Sequence, residues 1–326
     1  MMAECKANRR QAVTALHSRY APTFIIGDRG AAILLDTYRP VGESFECQWR
    51  RSRDNMDCAA HNASHSSENQ RLSGETAITY EQDDGVALIT LRRPRSLNAV
   101  NRAMRTGLID AFTRFEADGE AKVAILAAEG RAFCAGADLK EMAETGKTAP
   151  GANGIPHLGR TIHVTKPTIA QVNGIAYAGG FLLAQMCDLC TASEDAEFAL
   201  TEVRWGRGAP WATPLIWMLP QRVMMELLIT GQPLSAKRAY DLGFVNRLSK
   251  PENLAEETRE LARTIIANAP LGVKAGRELT YLSTEMGRSA AFPVGDFCFQ
   301  RSYASQDALE GPRAFAERRA PLWQGR

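Results

Sequence analysis

Two stretches of small residues, Cys134-Ala135-Gly136-Ala137-Asp138 and Val172-Asn173-Gly174-Ile175-Ala176-Tyr177-Ala178-Gly179-Gly180, are where this chain can do chemistry. Each brings a backbone nearly bare of side chains to the end of an apolar stretch, where a helix pattern begins. Such a main chain can approach a ligand closely and aim its N–H groups at it. Two N–H groups converging on one oxygen form an oxyanion hole, which stabilises negative charge on a carbonyl during reaction. The chemistry indicated is an enzyme's, on a thioester or similar acyl group. A Gly-Gly pair before an apolar helix is also a common packing device, so the context of the two segments decides between the readings.

That context is a repeated strand–helix pattern from Thr76 onward. Val86–Leu91, 122–126, 168–172 and 188–192 read as strands, with a helix over 103–116. Continuous apolar strands alternating with helices predict an α/β fold, its sheet covered on both faces. Beyond Ser235 the pattern turns helical. Ser235 caps 236–242 with Gly243 as the stop, and Leu254, Leu261 and Ile265 share one face of a helix that Pro270 ends. The stretch Thr145–Gly159, rich in Gly and Pro, reads as a mobile loop beside the acyl pocket.

At 326 residues and 45% apolar composition, the chain can bury a large core. A net charge of +2 provides no general field for nucleic acid or acidic membranes, and no apolar run is long enough to span a bilayer. The seven cysteines are scattered, as expected in a reducing, cytoplasmic compartment. Cys187-Asp188-Leu189-Cys190 has neither a second CxxC nor a His cluster, so buried thiols rather than a metal site are expected. Residues 1–75 differ: they carry His17, His61, His65 and a polar run over 61–70, and read as a disordered extension. The expected organisation is therefore 1–75 extension, 76–250 core and 251–326 helical C-terminal region.

With Arg93-Pro94-Arg95-Ser96-Leu97-Asn98-Ala99 before the two segments and Ala314-Phe315-Ala316-Glu317-Arg318-Arg319-Ala320-Pro321 closing the chain, four ordered motifs resemble the crotonase (enoyl-CoA hydratase/isomerase) superfamily. The resemblance runs from about Thr76 to Arg326 and implies a crotonase-like spiral of repeated ββα units with a helical C-terminal trimerisation region. It implies a homotrimer or homohexamer, a coenzyme A thioester as substrate, and no separate cofactor or metal. Motif position puts the oxyanion-hole N–H groups at Ala137 and Gly179. It puts CoA and acyl contacts at Arg95, Ser96, Leu97, Ala135, Lys140, Leu182 and Trp205, with Arg318 reaching CoA from a neighbouring subunit.

The hydratases of that family carry two glutamates. The second matches Glu202 in Leu200-Thr201-Glu202-Val203-Arg204-Trp205-Gly206; the first falls on Leu182. A glutamate beside an apolar pocket has its charged form disfavoured, which makes it a better proton acceptor. Downstream, a gapless match sets Pro210, which has no N–H, at a glycine position, and Trp205 and Trp211 are expected to line a roomy acyl pocket. Hydration or dehydration of an enoyl-CoA by a single glutamate is the favoured reaction. Δ3-Δ2 isomerisation is the alternative that Leu182 supports; decarboxylation, thioester hydrolysis and a non-catalytic RNA-binding relative rank below. The near-neutral charge and absence of a basic stripe speak against RNA, and Glu202 against a dead enzyme.

Overall fold

A computed structural model describes residues 76–146 and 154–326, together with the backbone of a short antiparallel strand pair, Ile25–Ile26 and Ala32–Ile33. The chain divides into two units, 1–69 and 70–326. The expected extension over 1–75 falls, apart from that strand pair, outside the described residues, as does the centre of the expected loop over 145–159.

Unit 70–326 is built by strands that come in pairs and part company. Strand β1 (Ile78–Asp83) pairs antiparallel with β2 (Val86–Leu91), and helix α1 (Arg102–Ala117) follows. Next come β3 (Val123–Ala128), β4 (Ala132–Cys134) and helix α2 (Leu139–Thr145). The following repeat is β5 (Thr168–Val172), β6 (Ile175–Tyr177) and helix α3 (Gly179–Gln185), after which β7 (Leu189–Ser193) and β8 (Glu197–Ala199) continue the pattern. Strands β9 (Leu234–Ser235) and β10 (Arg247–Ser249) close the sheets. The first strand of each pair from β3 on joins a six-stranded sheet, ordered β10-β7-β5-β3-β2-β1 and parallel except for β1. The second joins a four-stranded sheet, β9-β8-β6-β4. This alternation is the expected spiral of ββα units.

The inner strands of the larger sheet, β2, β3, β5 and β7, are largely apolar on both faces because both are covered. Ile89, Leu91, Leu126 and Ala170 enter the main core with Phe112, Phe115, Phe181 and Phe198. Val86, Val123, Ile125 and Ile169 face the helix Leu254–Ile266, whose Leu261, Ala262 and Ile265 complete that second layer. Pro270 corrects the expectation at this helix's end. It does not stop the helix, which ends at Ile266, but occupies the first turn of the next one, Pro270–Thr284, where a missing N–H costs nothing. Ser235 caps as expected, its hydroxyl accepting the Arg238 N–H at 3.2 Å. Cys187 and Cys190 are buried at a helix-to-strand junction, and burial pushes both thiols up. Asp188 between them accepts Arg277 Nε at 2.8 Å and the Tyr281 hydroxyl at 2.7 Å, which ties Pro270–Thr284 to the start of β7.

Candidate active site

The site starts as a seam between two backbones. Residues 97–100 run beside 135–138: the Ala135 N–H donates to the Leu97 carbonyl at 2.9 Å, Val100 to Gly136 at 2.7 Å and Asp138 to Val100 at 3.2 Å. Leu97 and Asn98 turn through left-handed conformations to make the approach (φ 49° and 54°). Asn98 is the peg of this turn. Fully buried, it donates from Nδ2 to the carbonyls of Glu129 and Ala132, both at 2.9 Å, and accepts the Arg93 N–H at 2.8 Å. Asp138 caps α2 through the N–H groups of Lys140 and Glu141, and its other oxygen meets the Arg93 guanidinium at 3.2 Å. Sequence reasoning did not single out Asn98, Arg93 or Asp138 for this; an Arg-x-x-x-x-Asn spacing before a tight turn was the available signal.

The second glycine segment packs onto this seam. A Cβ on Gly136, at φ +99°, would stand 2.9 Å from the Tyr177 carbonyl oxygen and 3.1 Å from the Gly179 nitrogen. A Cβ on Gly179 would lie 3.5 Å from the Ala137 nitrogen. The structure therefore brings Ala137 and Gly179 together, as the motif match requires. Gly179 begins α3, so its N–H belongs to the first turn, which has no acceptor within the helix. Among the described residues, neither the Ala137 nor the Gly179 N–H finds a backbone acceptor. Ala178 between strand and helix sits at φ 50°, ψ −118°, a conformation that costs a non-glycine residue about 1–3 kcal/mol and clusters at functional sites.

Glu202 lies in the 3-10 turn Thr201–Trp205, which follows β8 directly. Its Oε1 accepts the Trp211 indole N–H at 2.9 Å. Its Oε2 is buried with no partner among the described residues. Burial raises the carboxyl above the ordinary glutamate range, against the opposing pull of the Trp211 N–H and the Arg207 charge. Leu182, on α3, stands 4% exposed where the resemblance puts another glutamate. Ala137, Gly179, Leu182, Glu202, Trp211 and His157 all line one cavity of about 1230 Å³. An adjoining cavity of about 230 Å³ is lined by Ala135, Ala137, Glu202 and Trp205 among others.

The two tryptophans thus separate. Trp211 reaches the larger cavity and grips Glu202, whereas Trp205 is 64% exposed and borders the smaller one. The Trp211–Glu202 bond went unread because only the 3-10 turn opened by Pro210 folds the indole back across nine residues. Pro210 itself lines the larger cavity. Arg95 and Ser96 are exposed beside the Leu97–Ala135 seam, and Lys140 is exposed in the first turn of α2. Arg318 ends the last helix, Asp307–Glu317, and lines neither cavity of its own chain. His157 has Nδ1 2.7 Å from the Leu158 carbonyl, and burial lowers its pKa.

Comparisons with known proteins agree with this geometry. The family model described as Enoyl-CoA hydratase/isomerase matches residues 81–326. Carnitinyl-CoA dehydratase of Salmonella typhi is 38% identical over 251 residues, covering 73% of this chain and 94% of that protein. Enoyl-CoA hydratase of Mycobacterium tuberculosis H37Rv superposes with a TM-score of 0.73 at 38% identity, covering 77% of this chain and 100% of that one. An enoyl-CoA hydratase of Mycobacterium marinum gives 0.72 at 38% identity, with 77% and 100% covered. A paired-strand spiral, two converging glycine-rich segments and a buried glutamate beside them have the same source: the chain belongs to the enoyl-CoA hydratase/isomerase family of the crotonase superfamily.

Proposed function

We propose that this protein adds water to, or removes it from, an enoyl-CoA thioester, with Glu202 alone moving the protons. In the hydration direction the Glu202 carboxylate takes a proton from water as the hydroxyl oxygen bonds to Cβ. The electrons of the double bond pass to the thioester oxygen, and the Ala137 and Gly179 N–H groups stabilise the enolate. Glu202, now a carboxylic acid, returns its proton to Cα and the enolate collapses. The observation that carries this reading is the state of Glu202: one oxygen tethered to Trp211, the other buried, unpartnered and bordering the cavity that holds Ala137 and Gly179. No coenzyme beyond the CoA ester enters the scheme.

Leu182 favours a second reading. Without a carboxylate there, one group that lifts a proton from one carbon and sets it on another suffices for Δ3-Δ2 isomerisation. Mass spectrometry of 2-enoyl-, 3-enoyl- and aromatic enoyl-CoA esters incubated in D2O separates the two. Gain of one water establishes hydration; an unchanged formula with a moved double bond and deuterium uptake establishes isomerisation.

The cavity also bears on the acyl group. Arg102, Arg105, Arg160 and Arg207 line it against two carboxylates, Glu141 and Glu202, and Arg105 pairs with Glu141 at 2.8 Å. This excess of cations supports a neutral or anionic acyl group and opposes the permanent cation of a carnitinyl group. Phe297, Tyr303, Phe315 and Leu322 are all exposed on the C-terminal helices and tail, which supports a homotrimer or homohexamer. The exposed cations Arg95, Lys140 and Arg318 are the proposed CoA-phosphate contacts, Arg318 in a neighbouring subunit, and a cytoplasmic location accords with the free thiols of Cys134, Cys187, Cys190 and Cys298 among the described residues.

A further inference from the structure

We infer that Trp211 is a positioning residue: its indole N–H fixes the orientation of the Glu202 carboxylate. The inference rests on the reading of Glu202 as the proton carrier and adds to it a partner that the motif match does not supply. Trp211 donates to Oε1 at 2.9 Å, and Oε2 is left as the carboxylate oxygen without a partner among the described residues. A glutamate side chain, free to turn about three single bonds, needs such a tether more where no second carboxylate shares the load, and Leu182 stands in that place.

The indole is itself held. Its ring meets Phe181 edge-on, with centroids 6.3 Å apart and an interplanar angle of 65°. Phe181 is fully buried in a cluster with Phe198 and Phe244. The Trp211 carbonyl accepts a long hydrogen bond (3.4 Å) from Gln185, which is 2% exposed on the last turn of α3. The helix that begins with the Gly179 N–H therefore also anchors, at its other end, the residue that orients Glu202. The base and the Gly179 N–H are thus both referenced to one seven-residue element.

The kinetic test compares Trp211→Phe and Trp211→His with the unaltered full chain on the ester that the D2O assay selects. Loss of a hydrogen bond to a charged group should lower kcat about tenfold or more with little change in KM. Because a donor that favours the carboxylate is gone, the acid limb of the pH profile should move to higher pH. His, which keeps a ring N–H, should recover part of both. An unmoved acid limb, or equal losses in Phe and His, would make Trp211 mere packing and overturn the inference.

The spectroscopic test does not depend on a Trp211 variant folding. The chain has five tryptophans, so indole N–H resonances are few. One should titrate with pH in the unaltered protein and lose that titration in Glu202→Gln; no indole responding to either change would also overturn it. Full activity in Glu202→Gln would instead sink the reading of Glu202. An inactive Glu202→Gln beside a wild-type-like Trp211→Phe would sink this inference alone.

Discussion

Gly180 and Cys134 are pressed so closely that a Cβ on the glycine would stand 2.0 Å from the cysteine's carbonyl oxygen. That contact seats α3 on β4 and so sets the distance between the segments carrying Gly179 and Ala137. Gly180→Ala meets backbone, not a flexible side chain. It should cost about 1–3 kcal/mol or more as overpacking, lower the melting temperature, and reduce kcat/KM by spreading the two N–H groups. A variant as stable and as active as the parent would show that the seam can open without consequence.

Glu202→Gln should depress kcat by about 10²- to 10⁴-fold, the usual contribution of a positioned acid–base group. CoA-ester affinity, measured by calorimetry, should stay within a few fold, because the proposed contacts to the thioester oxygen are backbone N–H groups.

Burial raises the Glu202 pKa, and the hydration step needs the carboxylate. The acid limb of kcat/KM should therefore lie above the ordinary glutamate value of about 4.3, with activity falling as pH drops through it. The same shift has a stability consequence. A carboxyl whose folded pKa exceeds its unfolded one destabilises the fold once pH rises above the unfolded value, with the full penalty present above the folded value. Glu202→Gln should thus melt higher than the parent at neutral pH and match it in acid. Equal melting temperatures at pH 7 would mean the carboxylate is better solvated than its buried oxygen indicates.

With four arginines against two glutamates around the larger cavity among the described residues, crotonyl-CoA should be processed with a higher kcat/KM than carnitinyl-CoA. Replacing Arg160 and Arg207 together with Gln should narrow that preference. A parent enzyme that prefers the carnitinyl ester would refute the charge argument directly.

Legibility in the sequence followed how strongly each feature is encoded locally. Thr168–Val172 matches its predicted bounds because five residues of a doubly covered strand leave no polar alternation to blur it. Strand β1, Ile-Thr-Tyr-Glu-Gln-Asp, was missed because it is an edge strand whose polar half faces outward. Strand β6 was hidden inside the second glycine segment, and β4 runs into the first at Cys134; each is only three residues long. Pro293 and Pro312, for which the sequence reading made no provision, lie in the second turn of helices Arg288–Tyr303 and Asp307–Glu317. That Ala137, Gly179 and Glu202 would meet at one cavity was legible through motif spacing. What Glu202 touches was not, since that depends on a turn nine residues downstream and on Gln185 in another element.

The seam between 97–100 and 135–138 is made of main-chain hydrogen bonds, and the proposed oxyanion donors belong to the main chain as well. The half of this site that would hold an acyl group is thus spelled by the path of the chain, which no single codon change erases while glycine and alanine remain in place. The half that moves protons is one side chain. A lineage carrying this scaffold can exchange or lose its reaction in one step, at position 182 or 202, and still inherit an intact grip on thioesters, so its members are expected to diverge in chemistry faster than in fold.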